Sequence, residues 1–365
     1  MSTPTVSGLT PSQEQIVFTS IIAAGLQEAY LGDLSLVYDK IARCQMPEYF
    51  AQKFPGIFRP DGQLINPGSA ALPDQAVFGQ VMPLARMEAL SPNGGGATSF
   101  PLMRQAQNVL LGPYEAKAHE SVWNFRKDVF GTLQAAAGLM RRTAEKNADF
   151  LLAALLQNGN TSSCWHTALT GKNFFDTNIP CDLGPNLSGD VFTNYYTNTP
   201  LTSTNILKKI GYARGIRLGD RVPISVNLDT LIYPTVLEND AQISTMLRYI
   251  VYSGAGVPNG NLAPGQSAGT AAMGENAIQL LNYVKKVVPY DVLSDGTSSG
   301  DVTWYLADSR MFGLLYARAL APQYAWQVDP NSAAVFEENE YRFKVNTWEG
   351  AAYGLPQFIF KMRGN

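Results

Sequence analysis

Charge is scarce in this chain. Only 16% of its 365 residues are Asp, Glu, Lys or Arg, against about 25% in an ordinary soluble domain. So little charge on so long a chain points to a surface largely covered by other copies, because obligate interfaces are depleted in charge. Histidine is rarer still, with His119 and His166 alone. The three cysteines, Cys44, Cys164 and Cys181, are odd in number and share no spacing. They outline no disulfide framework and point to a reducing compartment. No window approaches roughly 18 uninterrupted apolar residues, so no membrane span is expected. Met1–Pro4 lacks the basic start and apolar run of a secretion signal. There is no basic run, and the net charge is −3. That excludes a protein whose main work is gripping nucleic acid through clustered Lys and Arg.

The signatures of catalysis are missing too. Cys164-x-His166 with Cys181 offers three ligand types, but the spacing matches no zinc pattern. An ordinary thiol and imidazole are the favoured reading. Gly171-Lys172 resembles the end of a phosphate loop, yet His166 stands where the first glycine belongs and Asn173 where Ser or Thr belongs. Gly254-x-Gly256 lacks the third glycine of a dinucleotide site, and no Gly-x-Ser-x-Gly elbow occurs. Glu337, Glu338 and Glu340 read as a solvated strand face, Lys117 as a solvated lysine, and Phe174-Phe175 as core. No catalytic, cofactor-binding or metal-ligating residue is expected.

What the chain does have is a long helical pattern. Val129, Leu133, Ala136, Met140, Ala144, Ala148, Leu151, Leu152 and Leu155 recur every three or four residues up to Gly159. A helix over 129–158 would run about 45 Å, against a radius of gyration of about 21 Å for a compact domain of this length. A flat, elongated subunit is expected. Upstream, Thr10-Pro11-Ser12-Gln13 reads as a helix start, a second short helix spans 34–43, and a proline-punctuated connector spans 47–73. Residues 76–125 read as a two-armed projection, with Val77 to Leu90 outgoing, Gly94–Gly96 at the tip and Tyr114–Phe125 returning. Such a ribbon is marginal alone, so it is expected to lie on a neighbouring subunit. Downstream, helices are expected over 204–214 (capped by Thr202 or Ser203), 230–237 and 241–251. Strands are expected over 222–226, 283–290, 302–307, 335–348 and 357–361.

Taken together, these segments resemble a known family. The long helix, Ala153-Ala154-Leu155-Leu156-Gln157-Asn158-Gly159 and Gly171-Lys172-Asn173-Phe174-Phe175-Asp176-Thr177 are similar to the Mu-like major head subunit of tailed phages. So are Trp304-Tyr305-Leu306-Ala307-Asp308-Ser309-Arg310, Phe336–Phe343 and Ala351–Phe358, in the family's order. The similarity covers residues 76–360 in patches. Asn178-Ile179-Pro180 departs from the family's Asp-His-Pro, and residues 1–70 show no match.

The resemblance implies an α+β, HK97-type capsid fold. It implies an N-terminal arm and connector over 1–70 and an E-loop hairpin over 71–126. A peripheral domain with a spine helix would take 127–200 and 335–350, and an axial domain 201–334 and 351–365. It implies a major capsid protein that self-assembles as pentamers and hexamers into an icosahedral virion head around double-stranded DNA, without sequence-specific binding. Assembly would take place in the bacterial host cytoplasm, with portal, scaffolding and decoration proteins as further partners. An encapsulin-like compartment and a soluble enzyme are the alternatives.

Overall fold

The computed structural model describes residues 16–17, 20, 36–55, 57–59, 63–65, 72–82, 103–126, 132–161, 171–181, 191–218, 222–241, 243–244, 246–247, 283–294, 302–327, 329 and 331–364. In chain order, α1 (Tyr38–Ile41), β1 (Ala42–Gln45) and α2 (Pro47–Lys53) lead to the strands β2 (Gln75–Met82), β3 (Met103–Leu110) and β4 (Gly112–Ser121). Then come α3 (Val122–Arg126), the long helix α4 (Thr132–Asn158), β5 (Ile179–Pro180), β6 (Val191–Phe192), β7 (Tyr195–Tyr196) and α5 (Ser203–Arg214). The strands β8 (Arg217–Leu218), β9 (Val222–Pro223), β10 (Thr230–Tyr233), β11 (Lys286–Pro289), β12 (Thr303–Ala307) and β13 (Leu314–Gln327) follow. The chain closes with α6 (Ala333–Glu338), β14 (Glu340–Tyr353) and β15 (Ile359–Arg363). The fold is α+β.

Helix α4 forms because 27 residues pass without proline and are dominated by Ala, Leu, Met, Glu, Lys, Arg and Gln. It is about 40 Å long. Two sheets share it. One has the order β1-β13-β14-β4, and the other β11-β10-β12-β15-β7. Ala148, Leu152, Ala153 and Leu156 of α4 are buried with Tyr305 and Ile359 of the five-stranded sheet and Leu314 and Tyr316 of the four-stranded one. The inner face of the helix is therefore one turn-edge away from the expected stripe, and Leu151 and Leu155 are only half-buried. A second core lies under α5, where Ile206, Ile210 and Ala213 meet Trp304, Leu306 and Phe360. Thr202 caps α5 as expected, its hydroxyl accepting from Asn205 N.

Several expectations are corrected. The hairpin returns on β3, not on Tyr114–Phe125, since β2 pairs β3 from Gln75↔Leu110 to Met82↔Met103. Tyr114 instead belongs to β4, an edge strand paired with β14. The tip Gly94–Gly96 lies outside the described residues. Of residues 230–237, the first four form a strand and only Thr235–Leu237 are helical, as the start of a 3-10 turn over Thr235–Asn239. Thr230 and Ile232 are β-branched and Tyr233 is aromatic; the segment is buried on both faces and precedes Pro234, which disfavours helix at Tyr233. The strand over 335–348 begins only at Glu340. Val335 lies in α6, whose end is set by Asn339 in the left-handed region, with its N–H on the carbonyls of Ala334 and Val335. The helix over 34–43 stops at Ile41, and Ala42–Gln45 becomes a strand parallel to β13. The strand over 222–226 ends at Pro223, before Ser225 at φ 57°.

The longest missed element is β13. Its apolar run Leu314–Ala321 continues through Pro322 without ending, because Pro322 sits in a register shift between Leu320 and Gln323 where no ladder N–H is required.

Candidate functional site

Three of the functional candidates gather on α4: its anchored C-terminus, its clamped middle and its exposed outer face. A helix end leaves its last four carbonyls without partners. Here side chains from both sheets supply them. Tyr353 OH donates to Leu155 O at 3.0 Å, and Tyr305 OH to Leu156 O at 3.2 Å. Lys361 Nζ donates to Leu156 O at 3.0 Å and Gln157 O at 2.6 Å. Thr161 N takes Asn158 O at 2.9 Å, and Phe175 N takes Gly159 O at 2.9 Å. About two turns earlier, Tyr290 OH donates to Asp149 O.

The segment that follows is the expected phenylalanine anchor. Phe174 and Phe175 are buried, at 4.9 Å from each other, and Phe174 stacks on Tyr353 at 4.4 Å. Asn194 pins the segment by donating to Phe174 O at 2.9 Å and Pro356 O at 2.9 Å while accepting Asp176 N at 3.0 Å. Gly159 has its own reason to be glycine. A Cβ there would stand 2.5 Å from the Phe175 ring, so its role is close packing and not a left-handed cap.

The middle of α4 is clamped to the four-stranded sheet by buried polar groups. Arg318 Nε is 2.8 Å from Glu349 Oε2, and its Nη1 is 2.9 Å from Glu145 Oε2 on the helix. Glu349 also accepts from Asn147, Tyr316 and Thr347. Burial works against the Arg318 charge, but Tyr316, Glu349 and Glu145 outweigh it and hold the guanidinium more firmly protonated than usual. Asp149, fully buried, accepts Tyr38 N at 2.8 Å and Val37 N at 3.1 Å, fastening the connector to the helix. Burial pushes its carboxyl up to about 6, against the pull of those N–H groups.

On the outer face of α4, Leu139 is 62% exposed and Phe150 50%. They are three turns apart, about 16 Å, on one side of the helix, with exposed Ala135, Thr143 and Ala154 between and beyond them. Lys146 passes between them to reach Asp291 at 2.7 Å. The hairpin base exposes Val77 (51%) and Leu110 (75%) in turn. An open groove of about 590 Å³ lies at the tips of β4, β13 and β14, lined by Lys117, His119, Trp326, Arg342 and Lys344. Its charges are matched locally. Glu115 meets Lys117 at 2.6 Å and Lys344 at 3.2 Å, and Arg342 pairs with Glu338 and Glu340.

The residues weighed for chemistry are scattered. Cys164 and His166 lie outside the described residues, Cys181 sits in the core under α5, and Cys44 is half-buried on β1. Burial pushes the Cys44 thiol up to about 12, where it is a poor nucleophile. Glu337 and Glu338 are on α6, apart from the strand face on which they were expected. Among the described residues, no three His, Cys, Asp or Glu side chains form a candidate metal cluster, and no helix is long and apolar enough to cross a membrane. The groups that matter most, Arg318, Glu349, Lys361 and Asp149, were not singled out from sequence. Their one signal is a lone charge inside an apolar run, as in Leu314–Leu320 and Ile359–Met362.

No family model matches the sequence, and no curated protein is significantly similar to it. Solved structures are similar. One is the capsid of Ralstonia phage GP4, at 12% identity over 81% of this chain and 85% of that one, with a TM-score of 0.49. Another is the procapsid of bacteriophage JBD30, at 14% identity over 98% and 77%, with a TM-score of 0.48. A virus-like particle from Pyrococcus furiosus is similar at 7% identity over 94% and 96%, with a TM-score of 0.43.

Proposed function

We propose that this chain is the major capsid subunit of a tailed bacteriophage. It has an HK97-type fold, builds an icosahedral head around double-stranded DNA, and performs no catalysis. The observation that carries the reading is the two-sidedness of α4. Its inner face is bolted to two sheets, while its outer face presents Leu139 and Phe150 to solvent. A stiff rod with an exposed apolar stripe is built to be covered, and the hairpin, with Val77 and Leu110 exposed, is suited to lie on a neighbour.

In this reading residues 1–70 are arm and connector, the hairpin is the E-loop, and α4 is the spine of the peripheral domain. The five-stranded sheet with α5 is the core of the axial domain. Strand β13, paired along its length with β14, then belongs with the peripheral sheet. The subunit's first partner is itself, in pentamers and hexamers, and many modest contacts to several neighbours sum to a stable shell. Portal, scaffolding and decoration proteins are the further partners of such a shell, which forms in the host cytoplasm and persists in the virion.

Electron microscopy of the purified protein tests this. Closed shells of uniform size are expected, carrying nucleic acid when purified from virions. Shells carrying an enzyme would indicate a storage compartment of the same fold. A protein that stays monomeric under every assembly condition would overturn the reading.

A further inference from the structure

The last strand carries one charge inside an apolar run, Lys361 between Phe360 and Met362. Its ammonium lies at the C-terminus of α4. It donates to Gln157 O at 2.6 Å, Leu156 O at 3.0 Å and Asn160 Oδ1 at 3.0 Å. Three N–H donors thus meet three neutral oxygens, and the charge sits at the negative end of the helix dipole. The groups around it are the rings of Phe175, Tyr305 and Tyr195, each within 6.0 Å of Nζ, and the like charge of Arg363 on the same strand. Burial, helped by Arg363, draws the ammonium down to about 8.

Filling this space would not need a lysine. Methionine is nearly the same size and would fill the space, though it would leave Gln157 O and Asn160 Oδ1 without this donor. What the ammonium adds is direction. It holds the last turn of α4 at fixed distances from β15, which is hydrogen-bonded to β12 and β7. Tyr305 of β12 reaches the same Leu156 carbonyl. The five-stranded sheet therefore meets α4 through polar contacts of set geometry, just as the four-stranded sheet meets it through Arg318.

We infer that Lys361 is a positioning residue that sets the angle between the five-stranded sheet and α4, and through that angle the curvature at which copies of this chain close into a shell. This rests on the capsid reading. In a closed shell every copy repeats the same angle, so a small change in one subunit becomes a change of shell size.

The test uses full-length wild type, Lys361→Met and Lys361→Gln. Each is checked for folding by circular dichroism at the assembly temperature and imaged by electron cryomicroscopy after assembly at about pH 7 and about pH 9.5. Wild type at the lower pH is expected to give a single size class. Folded Lys361→Met is expected to lose it, and Lys361→Gln, which keeps two N–H donors, to retain part of it. Wild type at the higher pH is expected to shift toward Lys361→Met, because a neutral amine has two donors for three oxygens. Lys361→Gln should show no pH shift. A residue that only adds stability would lower the melting temperature and leave shell size alone, so a folded Lys361→Met with the wild-type size class overturns the inference. Should Lys361→Met fail to fold, the wild-type pH comparison decides, and unchanged size overturns it. Wild type that forms no shell at all overturns the capsid reading first.

Discussion

Gly350 of β14 and Leu110 of β3 meet where no side chain fits: a Cβ on Gly350 would stand 2.0 Å from the Leu110 carbonyl oxygen and 3.0 Å from its carbonyl carbon. The hairpin's return strand therefore lies directly on the four-stranded sheet before the chain turns into β4. Leu111 N closes the base on Asp74 O at 2.9 Å. Ala76, Phe78 and Val109 are buried there with Leu315 and Ala317. The base of the hairpin packs into its own subunit's core through Ala76, Phe78 and Val109, while Val77 and Leu110 of the same strands stay exposed.

Gly350→Ala is expected to cost roughly 3 kcal/mol, the upper end for overpacking, because the opposing atoms are backbone and cannot turn aside. Gly112→Ala, with nothing within 4 Å of its Cβ, should stay within about 0.5 kcal/mol of wild type. Urea unfolding midpoints of the two variants make the comparison.

Gly159→Ala should also destabilise, but through a side chain, since its Cβ would press into the Phe175 ring. A smaller partner relieves it. Phe175→Leu in the Gly159→Ala background should cost less than Phe175→Leu alone, giving a coupling of about 1 kcal/mol in a double-mutant cycle. Strict additivity would show that the helix end moves freely.

These glycines mark the limit of what sequence could deliver. Helix α4 was legible because 27 residues keep one period without a proline. The alternation of Tyr341, Phe343, Val345 and Thr347 was legible because that half of β14 is buried on one face only. β10 was misread because both of its faces are buried, which erases the period-two signal. β13 was missed because Pro322 looks like a terminator until a bulge absorbs it. The clamp around Arg318 joins residues 145, 318 and 349, and no local pattern ties together positions brought together only by sheet pairing and helix packing.

Arg318→Met leaves Glu349 buried and without its cation. A loss of about 3–5 kcal/mol is expected. The double variant Arg318→Met/Glu349→Gln should recover most of that loss, because no uncompensated charge remains. Calorimetric melting of the three proteins checks this. A double variant as unstable as Arg318→Met would show that the loss is one of packing around Tyr316.

Asp149 makes a pH prediction of definite sign. Its folded value of about 6 stands above the ordinary 3.8, so the native state holds the proton more tightly than the unfolded chain. The stability it contributes is full below the ordinary value and falls as the pH rises through about 6. Asp149→Asn removes that slope. Between about pH 4 and pH 7.5 the stability of wild type relative to Asp149→Asn should fall by on the order of 3 kcal/mol. A flat difference would show that the N–H groups of Val37 and Tyr38 offset the burial fully.

The outer stripe of α4 separates folding from assembly. Leu139 and Phe150 lie in solvent on the isolated subunit, so Leu139→Lys and Phe150→Lys should each change unfolding free energy by no more than about 0.5 kcal/mol. Lysine also suits a helix as well as the residues it replaces. In an assembled shell the same positions would be covered, and a lysine there would have to be desolvated against an apolar partner at a cost of several kcal/mol. That cost falls once per subunit and is multiplied across the shell, so the double variant should remain folded by circular dichroism yet sediment as small species. Leu152→Lys, on the buried face of the same helix, should unfold the subunit outright. If the double variant at 139 and 150 assembles as wild type does, this face of the helix looks onto solvent in the shell, and the hairpin of the neighbouring subunit lies elsewhere.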